Sequence, residues 1–197
     1  ETLKKPISAY GQSKLLCEKL LDDLSKSSNL KFTSLRYFNA AGADKDGKIG
    51  EYRNHETHLI PLILRTLDDT SKQIKIYGTD YNTYDGTCIR EYVHVSDLVE
   101  AHYKAFLRLK ETNESDFFNL SSEISLSVLE ILRSIESITA KEINYVFAER
   151  REGDPDILLS DCSKARKILK WVPKNSNIEN IISSALNWHK YLNKYIL

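Results

Sequence analysis

The chain has 197 residues but only three cysteines and seven glycines, and its 28 acidic and 28 basic residues cancel. Each shortage excludes something. Zero net charge removes bulk attraction to nucleic acid or to a membrane surface, and the basic residues are scattered rather than gathered in one block. No apolar run nears the roughly 20 residues of a membrane-spanning helix. Cys17, Cys88 and Cys162 are odd in number and far apart, with no CxxC or CxxH pair. That argues against a zinc centre or a disulfide framework, and reduced thiols in the cytoplasm are the expectation. The few glycines form no GxGxxG or GxxGxxG, the tight turn that seats a dinucleotide pyrophosphate on a helix N-terminus. No signal-peptide pattern follows Glu1.

What is present alternates. Leu15, Leu16, Leu20, Leu21 and Leu24 give residues 10–24 a helical apolar stripe. Residues 31–39 read as one buried strand, 40–50 as a loop, and 58–67 as a helix with Pro61 in its first turn, where a missing N–H is harmless. Strands are expected at 74–77, 91–95, 117–120 and 143–148. Helices are expected at 98–110 behind a Ser96 or Asp97 cap, at 128–138 behind Ser127, at 163–169 and at 178–191. Alternating strands and helices imply an α/β fold.

The sharpest local signal is Tyr10-Gly-Gln-Ser-Lys14. The i, i+4 spacing puts phenol and ammonium on one helix face. A phenol is too weak an acid to act as a base at neutral pH, and a neighbouring cation favours its ionised form. Such a pair suits proton transfer beside a redox cofactor. Other motifs are weaker. Residues 42–48 nearly spell a phosphate-binding loop, but Ile49 stands where Ser or Thr should bind magnesium. His55 and His58 are three apart, not the four of a zinc-protease helix. His94, on an apolar strand, reads as a satisfied core histidine. Trp171 and Trp188 read as packing residues.

Taken in order, Ser8-Ala-Tyr-Gly-Gln-Ser-Lys14, Leu35-Arg-Tyr-Phe-Asn-Ala-Ala-Gly-Ala43, Glu56-Thr-His-Leu-Ile-Pro61, Tyr77-Gly-Thr-Asp-Tyr81, Asp85-Gly-Thr-Cys-Ile-Arg-Glu-Tyr-Val-His-Val95 and Arg150-Arg-Glu-Gly-Asp-Pro155 resemble the UDP-glucose 4-epimerases, within the extended short-chain dehydrogenases. The resemblance covers nearly the whole chain. It implies the end of an NAD-binding Rossmann domain (residues 1–40) and a smaller C-terminal α/β domain for UDP-sugars (41–197), with some later segments returning to the Rossmann sheet. It also implies NAD as cofactor, interconversion of UDP-glucose and UDP-galactose through a 4-keto sugar, and a homodimer when complete.

Residue by residue, the resemblance makes Tyr10 the acid/base and Lys14 its partner on the cofactor ribose, with Tyr37 and Phe38 beside the cofactor. Asn39, Arg90 and Arg151 would hold the diphosphate, where amides and bidentate guanidinium groups suit the task. Asp154 would accept from ribose hydroxyls. His58, Leu59, Lys75, Ile76 and Tyr77 would line the uridine side, with Ile124 helping to close it. At Leu158 some members carry a bulky aromatic that crowds the sugar's 2-substituent. The smaller Leu extends the expected substrates to UDP-N-acetylhexosamines. The glycine turn and a catalytic Ser or Thr are expected before Glu1, so the chain reads as the C-terminal part of such an enzyme. Alone, it is expected to be unstable, aggregation-prone or dependent on an N-terminal piece. A sister sugar-nucleotide epimerase or dehydratase, and a non-catalytic nucleotide-sugar-binding chain completed in trans, are the rival readings.

Overall fold

Ser8 opens the first helix, its Oγ accepting the Gly11 N–H at 3.1 Å. The computed structural model, describing residues 4–69 and 71–195, then runs α1 (Ala9–Ser27), β1 (Thr33–Arg36), β2 (Asn39–Ala41), α2 (Leu59–Thr66), β3 (Ile74–Tyr77), β4 (Ile89–His94), α3 (Val95–Thr112), β5 (Asp116–Asn119), β6 (Ser125–Ser127), α4 (Val128–Thr139), β7 (Tyr145–Ala148), β8 (Ile157–Leu158), a π-helical segment (Ala165–Leu169) and α5 (Ile178–Tyr195). The α/β expectation is borne out. Pairing is mainly parallel: β1 with β5, β2 with β4, β3 with β7 and β4 with β8, while β4 and β6 run antiparallel.

Two apolar clusters hold these elements. One gathers Ile60, Ile63 and Leu64 of α2, Ile74 and Ile76 of β3, Leu129, Ile131, Leu132 and Ile135 of α4, and Ile181, Ile182 and Ala185 of α5. The other gathers Val93, Leu98, Ala101, Ala105, Phe118, Leu120, Cys162, Ala165, Leu169 and Trp171, with Leu35 and Ala40 packed against it. Thus β1, β5 and α3 share a core with the late segment 162–171. The two clusters meet along β4, where Tyr92 belongs to the first and Val93 to the second, as the alternation of strand faces requires.

Several boundaries differ from expectation. The strand foreseen over 31–39 is two strands, since β1 pairs with β5 and β2 with β4; the chain changes sheets at Tyr37 and Phe38. The cap of α3 is neither Ser96 nor Asp97. His94 Nδ1 accepts the Ser96 N–H at 3.1 Å, and β4 passes straight into the helix. Asp97 is buried and spent elsewhere, accepting from Asn175 and from Ser176 Oγ at 2.6 Å. The 163–169 helix is π-wound over Ala165–Leu169, a wider turn that brings Ala165, Leu169 and Trp171 into one cluster. Ser127 caps α4 as expected, completed by Glu130 into a capping box.

His94 and Trp171 are core residues as read. His94 Nε2 lies 3.0 Å from Ser184 Oγ, and Trp171 donates to the Asp97 carbonyl at 2.8 Å. Trp188 is half-buried and donates to Glu51 O. Gly42, the first glycine of the near-phosphate-loop, has φ +79°, and a Cβ there would sit 2.6 Å from the His94 ring. That glycine makes room for a histidine, and no helix follows the loop. Among the described residues, no helix is long and apolar enough to cross a membrane.

Candidate functional site

Strand ends and loops from both clusters surround a cavity of about 1260 Å³. Tyr10, Tyr37, Phe38, Asn39, His58, Leu59, Lys75, Ile76, Tyr77, Arg90, Arg151 and Asp154 all line it. These residues are scattered between positions 10 and 154 and are brought together by the fold. Lys14, Ile124 and Leu158 are not among the lining residues. Lys14 stands one turn behind Tyr10, with Nζ over the phenol ring at 5.0 Å from its centroid. Leu158 pairs with Arg90 across β4 and β8, on the same face of the sheet. Ile124 is exposed in the turn before β6.

One electrostatic tie sets the position of α1. Glu18 accepts from Arg36 through both carboxylate oxygens, and from Ser34 Oγ at 3.1 Å. Burial pushes the Glu18 carboxyl up, but the bonds from Arg36 and Ser34 outweigh it, and the group lies below the usual carboxylate range. The helix is thereby fastened to β1, whose last residue, Arg36, directly precedes the exposed pair Tyr37 and Phe38. Tyr10 is itself 73% exposed. Tyr10, Tyr37 and Phe38 thus form an open aromatic rim.

The opposite side is more enclosed. The Arg90 side chain is 11% exposed. It donates to the carbonyls of Ile89 and Pro155, each at 2.7 Å, and forms a close ion pair with Asp154 Oδ1. The Arg151 guanidinium lies 4.0 Å over the Tyr77 ring. Asn39 donates to Glu91 O at 2.8 Å, which fixes its amide against β4. The largely buried Arg90 and the Tyr77-stacked Arg151 therefore both face the cavity, an arrangement suited to a diphosphate.

His58 sits at the N-terminus of α2, with Nδ1 2.9 Å from Glu51 Oε2. Glu51, Glu56 and His58 offer ligand atoms within 4.8 Å of one another, a group that could hold a metal. Arg53 pairs with Glu51 at 2.6 Å and Arg65 lies 4.0 Å from Glu56, so the two carboxylates already face cations. Their geometry orients His58 toward the cavity. His55 takes no part in the group.

Sequence reasoning missed Cys88 and Tyr92, which line the cavity beside Arg90. The signal was available: positions 88, 90 and 92 share one face of an extended chain. Burial pushes both the Cys88 thiol and the Tyr92 hydroxyl up, so both stay protonated at neutral pH. Glu51 and Arg53 carried no such signal, because only the fold brings their loop to His58.

Comparison with known proteins sets this geometry in context. Residues 1–121 match the NAD dependent epimerase/dehydratase family. The UDP-glucose 4-epimerase of Lactobacillus helveticus is 45% identical over 190 residues, covering 96% of this chain and 58% of that protein. A crystal structure of a UDP-glucose 4-epimerase superposes with a TM-score of 0.91 at 44% identity, over 98% of this chain and 58% of its own. The Bifidobacterium longum UDP-glucose 4-epimerase in complex with NAD+ and UDP gives a TM-score of 0.88 at 31% identity, over 96% and 57%. The chain thus spans a little over half the length of the relatives it matches.

Proposed function

The chain belongs to the NAD dependent epimerase/dehydratase family, and from that premise we propose that it carries the Tyr/Lys pair and the nucleotide-sugar site of a UDP-glucose 4-epimerase. The observation that carries the proposal is the convergence of Tyr10, Asn39, His58, Arg90, Arg151 and Asp154 on one cavity.

In this reading Arg90 and Arg151 hold the diphosphate, with Asn39 beside them. Asp154 accepts from the ribose hydroxyls. His58, Leu59 and the β3 residues Lys75, Ile76 and Tyr77 form the uridine wall. Ile124 helps close the uridine side, Leu158 stands toward the sugar, and its modest size admits UDP-N-acetylhexosamines beside UDP-glucose and UDP-galactose. A firm hold on the nucleotide and a loose hold on the hexose let the sugar turn over between its two orientations.

The residues present fit the nicotinamide end of NAD. Tyr10, Tyr37 and Phe38 line an accessible aromatic rim, and Lys14 extends the same helix face. When bound, the cofactor supplies reversible hydride acceptance. The chain's own contribution is proton transfer. The Tyr10 oxygen takes the proton of the sugar 4-hydroxyl and later returns it, while the Lys14 ammonium offsets the negative charge on the phenol. The protein works in the cytoplasm and pairs as a homodimer through α1. Residues 1–40 complete a cofactor domain, and most of 41–197 forms the substrate domain.

Calorimetric titration of the chain with UDP, paired with an epimerase assay of the enzyme with its cofactor half present, tests this reading. Arg90→Ala should cost the chain most of its UDP affinity. Tyr10→Phe should leave UDP binding intact and lower turnover by roughly 10²- to 10⁴-fold. Unchanged turnover in Tyr10→Phe would sink the assignment. Binding without turnover in the wild type would reduce the protein to a nucleotide-sugar binder.

A further inference from the structure

Asp154 stands in a turn, with neither helix nor strand around it. Its placement therefore depends on side chains from elsewhere. One carboxylate oxygen, Oδ1, is held by Arg90. The other, Oδ2, lies 3.4 Å from the hydroxyl of Tyr81. Tyr81 lies outside the cavity lining and is only 3% exposed.

The Tyr81 ring is confined on several sides. Gly78 has φ +80°, and a Cβ on it would lie 2.3 Å from Tyr81 Cε2. The Arg150 guanidinium covers the ring at 4.0 Å from its centroid and is itself tied to Asp156 and Asp80. The backbone N–H of Tyr81 donates to Gly86 O at 3.1 Å, and that of the next residue, Asn82, to Asp156 Oδ2 at 3.1 Å. The loop between the two glycines is thus stitched to the 150–156 turn at both its ring and its backbone. Burial, then the nearby Asp154 charge, pushes the Tyr81 hydroxyl up, so it keeps its proton and can only donate toward the carboxylate at neutral pH.

We propose that Tyr81 is a positioning residue of the nucleotide site: its hydroxyl fixes the second oxygen of Asp154, so that the carboxylate meets the ligand's ribose hydroxyls already oriented. This rests on the reading of Asp154 given above. Pinned by Arg90 alone, the carboxylate could rotate about its remaining torsion, and its unheld oxygen would be ordered only when ligand arrives. Ordering it beforehand removes that cost from binding. At 3.4 Å this hydrogen bond is long, and losing it weakens binding by roughly three- to tenfold.

The test compares UDP with 2′,3′-dideoxyuridine 5′-diphosphate, which lacks the hydroxyls, on the chain and its Tyr81→Phe and Asp154→Asn variants. Tyr81→Phe keeps the ring and its packing, and a thermal melt checks that each variant stays folded. The expected result is a weaker Kd for UDP in Tyr81→Phe by the factor above and an unchanged Kd for the dideoxy analogue. The double variant should bind UDP no more weakly than Asp154→Asn alone. An unchanged UDP affinity in Tyr81→Phe overturns the proposal, and so does an equal loss for both ligands, which marks a general disturbance. If the wild type prefers neither UDP nor its ribose hydroxyls, the reading of the site fails first, and the variants are not needed to see it.

Discussion

The two apolar clusters of this chain are finished differently on their outer sides. Around Ile63, Ile76, Ile131 and Ile182, three helices close over β3, and each of these residues is at most 1% exposed. Around Phe118, Leu120 and Trp171 the interior is just as dry, yet the neighbouring helices turn apolar residues outward. α3 exposes Val99, Tyr103 and Phe106, and α1 exposes Leu16 and Leu20 while burying nothing. One region is closed by helices over β3, and its exposed apolar side chains lie at its margin, on β7 at Tyr145, Val146 and Phe147. The other is a packed layer whose flanking helices each carry exposed apolar side chains, and a helix face of that kind is a candidate interaction face. The cavity draws its aromatic rim from Tyr10 of α1 and the Tyr37–Phe38 crossover, and its charged groups from α2, β3, β4 and the 151–154 turn.

Truncating the closed core should produce the largest stability effect. Ile63→Ala removes a side chain with no exposure, and neighbours from α4 and α5 cannot readily fill the space. The expected loss is about 2–5 kcal/mol in a urea titration. A loss near that expected for a surface residue would mean that this region is as loosely finished as the other, and the contrast would disappear.

A smaller effect is expected at the seam. His94 caps α3 of the open region through Nδ1 and meets Ser184 on α5 of the closed region through Nε2. Because Nδ1 accepts an N–H, it must be unprotonated. Burial lowers the His94 pKa below its ordinary value of 6.5, with the Asp97 charge opposing in part. The unfolded chain therefore binds this proton first. The contribution is fully present above about pH 6.5 and is lost as the pH falls through the lowered folded value. His94→Gln should cost about 1 kcal/mol at pH 7, as a lost cap does. The difference between wild type and variant should then shrink below pH 6. A difference that stays constant from pH 7 to pH 5 would show that His94 does not titrate across the seam.

What the sequence disclosed follows the same division of labour. The Tyr10/Lys14 helix, the Ser127 cap of α4 and the β3 strand are local events, written in spacing and cap residues, and they were legible. β6 and β8 were not. They are three and two residues long, and β4 pairs with both. No periodicity can accumulate over such a length. The π-wound segment was read as an ordinary helix because its apolar spacing resembles one. Its winding is imposed by packing Ala165, Leu169 and Trp171 against Phe118 and Leu120. In the site, most named residues facing the cavity were reached through ordered motifs, while Cys88 and Tyr92 beside Arg90 and the residues that hold the lining were missed. Tyr81 behind Asp154 and Glu51 beside His58 exert their effect through contacts between distant positions, 73 and 7 residues apart. The nearer pair escaped too, because a loop gives no pattern from which to read direction.

The smallest expected effect on stability is also the most direct probe of the open region. Leu16 and Leu20 are spaced by four, so they form one stripe on α1, with Leu24 following at the same interval. Changing Leu16 and Leu20 to Glu removes little that is buried in the single chain. The unfolding free energy should move by no more than about 0.5 kcal/mol per site, as for other surface positions. Association should respond much more strongly. If this stripe is where copies of the chain meet, sedimentation velocity will show the wild type as dimers or larger species and the double variant as monomer at the same concentration. A wild type that sediments as monomer throughout would leave the open flanks without a self-partner. A variant that unfolds would mean that α1 is held by its leucines rather than by Glu18 and Arg36, contrary to the exposure that separates the two regions.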